Sequence, residues 1–297
     1  MRMDQMKTVC LERKSMSVTI KENRKGKAKA SRIIAVLTAV SMALSALLAV
    51  MFDVTLVSVS YGISDKRITE NIRLLVISDL HSCRFGENQS ELICRIEEIE
   101  PDIILLTGDI IDNVRPQKDA CELLEQIGTA YPCYYVTGNH EVWTGRVQEL
   151  KELVAAFGVN VLDGRCETAE VRGCRINIAG IDDPALGDED GQLTSAFENA
   201  DPECFTVLLA HRPERVDVYK QYPCDLLVNG HAHGGQWRLP PLCNGLYAPN
   251  QGFFPKYVGG RYDHEGCVQI VSRGVAMNYT VPRIFNPPEL TVIELTP

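Results

Sequence analysis

Five apolar runs in this chain end the same way, each stopping abruptly at a side chain that can hold a metal ion. Residues 72–82 read IRLLVISDLHS and break at Asp79 and His81. LLTGD ends at Asp109, YVTGNH at Asn139 and His140, LLAH at His211, and LVNGHAH at His231 and His233. A short, continuous apolar run bounded by turn residues fits a strand buried on both faces, the usual state of a parallel strand in an α/β protein. Side chains i and i+2 of an extended segment point the same way, so Asp79 and His81 are expected to grip one ion while Leu80 turns into the core. The five endings supply seven N/O ligands and one spare histidine.

Taken singly, each of these residues has a plainer explanation. His211 alone reads as a surface or satisfied core histidine, and Asp109 and Gly108 as turn or cap residues. Their concentration decides the matter, because five of the six histidines fall in these motifs and only His264 is left over. His264 reads as an ordinary loop residue. Carboxylate, imidazole and amide together suit Mn, Fe, Zn or Co better than Ca or Mg, which prefer oxygen cages. Two such ions about 3.5–4 Å apart can share a hydroxide and clamp both oxygens of an in-line displacement, for which a phosphate ester is the fitting substrate.

In this order, D-x-H, G-D, G-N-H, a lone H and G-H-x-H resemble the calcineurin-like metallophosphoesterase superfamily. GHAHGGQ at 230–236 and RIFNPPEL at 283–290 resemble its bacterial membrane-anchored branch of phosphodiesterases and UDP-2,3-diacylglucosamine hydrolase-like proteins. The resemblance implies a four-layer αββα sandwich, two face-to-face sheets flanked by helices. It also implies one ion on Asp79, His81, Asp109 and His233 and a second on Asp109, Asn139, His211 and His231, with Asp109 bridging. In an extended backbone the ring of His140 points away from Asn139 toward the space above the ions. The resemblance gives it the role of stabilising the phosphoryl oxygens or protonating the leaving oxygen. The branch usually has Thr where this chain has Ala232, which removes a hydroxyl contact but no ligand. Asp112, Glu141, Asp182 and Asp183 read as solvated or supporting acids.

The first part of the chain has another composition. Residues 1–32 hold 10 Lys and Arg against 3 Asp and Glu and suit a disordered basic tail. Residues 33–52 carry no charge and match the roughly 20 apolar residues that cross a bilayer. A cleaved signal peptide would have a shorter apolar region of about 7–15 residues, so an uncleaved signal anchor is expected. A buried core helix is the weaker alternative. Basic residues before the span predict a cytoplasmic N-terminus and a single-pass protein of the cell membrane, with its catalytic domain outside. Residues 53–71 read as a tether and 72–297 as the catalytic domain.

Beyond the tail the chain is acidic, at −16, which argues against nucleic acid as a partner. Eleven cysteines show no close ligand spacing; export would permit pairing, but mostly free thiols are expected, since several sit in apolar runs. Helices are expected over 88–100, 119–127 and 147–157. Strands are expected over 103–106, 134–137, 159–162, 175–181, 205–210, 226–228, 268–272 and 290–295. Residues 234–266 form a long irregular excursion, read either as a covering flap or as a substrate wall carrying Arg238, Lys256 or Arg261.

The functional expectation is a membrane-anchored phosphoesterase with two divalent ions, Mn, Fe or Zn, hydrolysing a phosphodiester or pyrophosphate with a metal-bridging hydroxide. The substrate would carry a lipid or a nucleotide sugar. The alternatives are a UDP-2,3-diacylglucosamine hydrolase-type lipid A enzyme and a non-catalytic metal-binding interaction module. Nothing in the sequence fixes the oligomeric state.

Overall fold

The computed structural model describes residues 2–277 and 281–297. They form two units, 1–51 and 52–297. The first is one helix, α1 (Arg2–Met51). The basic segment expected to be irregular is thus helical, and its many Lys, Arg, Glu, Met and Ala residues with no proline explain why. The C-terminal part of α1 is long and apolar enough to cross a bilayer. Its apolar side chains, from Ile33 to Val50, stand exposed.

In the second unit the strands are β1 (Val57–Ser64), β2 (Ile72–Ile77), β3 (Ile103–Thr107), β4 (Cys133–Val136), β5 (Asn160–Val161), β6 (Arg165–Val171) and β7 (Cys174–Gly180). They continue with β8 (Phe205–Leu209), β9 (Leu226–Asn229), β10 (Tyr247–Ala248), β11 (Gly252–Phe253), β12 (Gly260–His264), β13 (Cys267–Val271) and β14 (Glu289–Thr296). The helices are α2 (Ser90–Ile99), α3 (Lys118–Ala130), α4 (Asn139–Trp143), α5 (Val147–Ala156), α6 (Glu189–Glu198) and α7 (Val216–Tyr219).

One sheet has the order β1-β14-β2-β3-β4-β5 and the other β12-β13-β9-β8-β7-β6. Strands β2 to β5 run parallel, as do β7, β8, β9 and β13. Both sheets are buried on two faces, and the alternation of side chains divides the core accordingly. Leu74, Val76, Ile103 and Leu105 meet Ile178, Val207, Leu209 and Val228 between the sheets. Leu75, Ile77, Ile104 and Leu106 pack outward on Leu92, Ile96, Leu123 and Ile127. Leu208 and Leu227 face the opposite outer layer with Leu193, Ala196 and Tyr219. The result is the four-layer αββα sandwich.

The sequence did not show β1, β6, β12 or α6. Residues 57–64, expected to lie in a tether, pair in parallel with β14 as an edge strand of the first sheet. Their burial alternates with exposed Ser58, Ser60 and Ser64, so no continuous apolar run announces them. His264 lies in β12 rather than in a loop, and its Nε2 is 2.9 Å from Gln269 Oε1. The ten cysteines of the second unit carry free thiols.

Leu105→Ala removes a fully buried side chain between the sheets. It is expected to lower stability by about 2–5 kcal/mol, read from denaturant unfolding of the detergent-solubilised protein. A loss below about 1 kcal/mol would mean that the inter-sheet layer collapses onto the cavity, contrary to the packing described.

Candidate metal centre

All five motifs lie at the C-terminal ends of parallel strands, after β2, β3, β4, β8 and β9, where open α/β sheets bind their ligands. The local backbone differs from the extended geometry expected. The strands stop before the ligands, and Asp79, His81, Asp109, His231 and His233 all have positive φ, between 46° and 67°. Non-glycine residues rarely occupy this region, and its cost is tolerated where the surroundings over-determine the chain. Asn139 and His140 are also not extended; they open the short helix α4. His140 is therefore aimed by a helical turn, not by strand alternation.

Two glycines allow the loops to meet. A Cβ at Gly230 would lie 1.8 Å from Ser78 Oγ, and one at Gly108, where φ is +88°, would lie 2.6 Å from His211 Nδ1. The side chains then converge in two groups, Asp79 with His81 and His233, and Asp109 with His211 and His231. His233 Nε2 is 3.6 Å from Asp79 Oδ1 and 3.3 Å from His81 Nε2. Asp109 Oδ2 lies between the groups, 3.2 Å from His211 Nε2 and 3.7 Å from His81 Nε2. Its Oδ1 accepts the His140 backbone N–H at 2.7 Å.

Burial pushes His231 down to about 4 and His233 down to about 3, so both rings are neutral near pH 7 and offer lone pairs. Burial would raise Asp109, but the charge and hydrogen bond of His211 together with the charges of His81 and His140 outweigh it and hold the carboxyl well below its usual value. His211 Nδ1 donates to the Thr107 carbonyl at 2.7 Å, which turns Nε2 toward Asp109. His81 Nδ1, Asn139 Oδ1, His211 Nε2 and His233 Nδ1 are buried without a hydrogen-bond partner. Buried polar atoms are seldom left so, and a cluster of them around two acidic side chains fits divalent cations.

Several residues outside the expected ligand set also reach the site. Asp112 Oδ2 is 3.3 Å from His81 Nδ1 and 3.2 Å from His140 Nδ1, so one carboxylate faces both rings. Its spacing three residues after Asp109 was the available signal. Glu141 is fully buried and accepts the backbone N–H groups of Asp109, Gly138 and Ile111, which joins the G-D loop to the G-N-H loop. Asn250, at the tip of the β10–β11 hairpin, places Oδ1 2.8 Å from His231 Nε2. The 234–266 excursion therefore reaches the site, although Arg238 bonds Asn244 and Arg261 pairs with Asp263 instead of facing it. Asn286 of RIFNPPEL donates to the His233 and Gln236 carbonyls. Asp182 and Asp183 are structural, paired with Lys151 and Arg212. Ala232 is buried in the outer core. Over the histidines opens a cavity of about 340 Å³ lined by His81, Asp112, Val114, Arg115, His140 and Met277.

The family model of the calcineurin-like phosphoesterases matches residues 72–235, more than half of the chain. The chain is similar to the metallophosphoesterase YkuE of Bacillus subtilis (strain 168), with 30% identity over 232 residues, 76% of this chain and 79% of that protein. A transmembrane protein with metallophosphoesterase domain from Danio rerio is 29% identical over 203 residues, 59% of this chain; the chain spans 45% of that relative's length. Among solved structures, phosphopantetheinyl hydrolase from Mycobacterium tuberculosis aligns with a TM-score of 0.45 at 16% identity, covering 72% of this chain and 95% of the other. Calcineurin-like phosphoesterases are dinuclear metal enzymes, and this chain belongs to that family as a metal-dependent phosphoric ester hydrolase.

Proposed function

We propose that the chain is a membrane-anchored phosphoesterase that cleaves a phosphodiester or pyrophosphate bond outside the cytoplasm, with two divalent ions, Mn, Fe or Zn. Asp79, His81 and His233 hold one ion, Asn139, His211 and His231 hold the other, and Asp109 serves both. The observation that carries this reading is the position of Asp109 Oδ2, within 3.7 Å of a histidine from each group. Bound there, the ions would lower the pKa of a water and neutralise charge on the phosphoryl oxygens.

The protein's own groups supply the rest. Asp112 Oδ2 faces Nδ1 of both His81 and His140, where its charge favours the orientation of the two rings. His140 also packs against Trp143, with ring centroids 4.9 Å apart, and lines the cavity where the substrate phosphate would sit. From there its ring can give a proton to the departing oxygen. Glu141 keeps the Asp109 and Asn139 loops at a fixed distance without touching substrate.

Three outcomes test this reading. Asp109→Ala should lose both ions, while His81→Ala and His211→Ala should each weaken mainly one, as read by metal analysis after dialysis. Retention of one ion at wild-type affinity in Asp109→Ala would remove the shared role. His140→Ala should keep about two ions and lose roughly 10²–10⁴ in turnover. That loss should be smaller for a p-nitrophenyl ester, whose leaving group needs little protonation, than for an alkyl ester. Equal loss on both would leave His140 as a phosphoryl contact only. Finally, protease added to intact cells should digest the domain beyond residue 52, because the basic residues precede the span; a protected domain reverses the topology.

A further inference from the structure

The strand polarity and the anchor bear jointly on the substrate. β14 runs antiparallel to β2, and β1 runs parallel to β14, with Val57 opposite Glu289 and Val76 opposite Thr291. β1 therefore begins at the end of the sandwich where β2 delivers Asp79. Only residues 52–56 separate the last helical residue, Met51, from Val57. Fully extended, that link spans about 20 Å. An anchor in the bilayer thus enters the domain at its catalytic end.

Two further features lie at this end. A cavity of about 730 Å³ is lined by the link itself, Val54, Thr55 and Leu56, and by Phe85, Arg95 and Met277. Met277 also lines the cavity over the histidines, so the two spaces adjoin. The loops that follow β3, β4 and β9 expose large apolar side chains: Val114 is 84% exposed, Trp143 60%, Leu242 83%, Phe253 72% and Phe254 73%. The hairpin bearing Phe253 is bonded to the site through Asn250 and His231. Apolar and aromatic side chains gathered at one end, beside a bilayer anchor, fit insertion into the lipid interface.

We infer that the enzyme works at the bilayer surface on a lipid phosphoester, with the exposed rim seated in the interface and the groove beside residues 54–56 receiving the lipid portion. This rests on the phosphoesterase reading and names its substrate class. In the reaction a water oxygen bonds to phosphorus, the bond from phosphorus to the leaving oxygen breaks, and that oxygen takes a proton.

The test uses the full chain reconstituted with Mn in phosphatidylcholine vesicles. The vesicles are doped in turn with phosphatidic acid, phosphatidylglycerol or diacylglycerol pyrophosphate, with soluble bis-p-nitrophenyl phosphate assayed in parallel. Hydrolysis of at least one lipid is expected. The double variant Leu242→Asp, Phe254→Asp should lower the ratio of lipid to soluble-ester turnover by roughly tenfold or more, since it replaces apolar surface with charge. Turnover of the soluble ester with none of the three lipids cleaved overturns the lipid proposal and leaves the phosphoesterase reading standing. An unchanged ratio in the variant also overturns it. Failure on soluble ester and lipids alike, with metal bound, would sink the phosphoesterase reading itself.

Discussion

The architecture depends on keeping Asp109 buried and ionised between two sets of histidines. A carboxylate taken from water must be compensated, and here Lys and Arg are not the partners. Its Oδ1 takes a backbone N–H from His140, and its Oδ2 faces His211 and His81. Its own backbone N–H is held by Glu141, which holds Gly138 as well. A second buried acid thus fixes the loop of the first, and the two strand ends β3 and β4 stay in register at their tips. The same logic extends to Asp79, whose carboxylate accepts Ser78 Oγ–H at 2.5 Å and the His231 backbone N–H at 3.0 Å. One sheet therefore hydrogen-bonds the other at the site, and the face-to-face packing positions the two metal-binding groups.

What the sequence displayed was the part of the fold governed by hydrophobic burial. Runs such as IILLT and FTVLL are buried at every position, and only a strand covered on both sides needs such a run. The polar residues at their ends stood out for the same reason. The edge strands did not: β6 mixes exposed and half-buried residues around one buried alanine and β12 alternates half-buried with exposed residues, so their apolar content resembles that of loops. The left-handed backbone at Asp79, His81, Asp109, His231 and His233 was also hidden, because it is imposed by the crossing of loops and not by local preference. The helical turn that aims His140 was hidden for the same reason. Strand alternation was assumed to continue past Val136, whereas the chain turns at once into α4.

The residues that support the site were obscured by their ordinary identity. Glu141 and Asp112 are common acids, and only tertiary contact separates them from Asp182 and Asp183, which neutralise Lys151 and Arg212. Asn250 and Asn286 come from late, irregular segments, yet one meets His231 and the other holds the His233 carbonyl. Sequence distance concealed both, since each contact closes a loop that no local pattern records.

The last strand has a consequence for how the site is assembled. β14 lies inside the first sheet, between β1 and β2, and is supplied by the final residues of the chain. The segment just before it covers the metal centre: the Val275 and Ala276 N–H groups bond Ser78 and Asp79, and buried Arg283 donates to the carbonyls of Arg273, Gly274 and Ala276. Sheet closure and completion of the Asp79 loop therefore depend on residues 275–296. Contacts of such sequence separation form late because loop closure must precede their gain. Until then β1 has no partner strand and one edge of β2 is unpaired. β1 and β14, the first and last strands of the domain, are neighbours in one sheet, so the edge where residue 57 enters the sandwich is closed by its longest-range pairing.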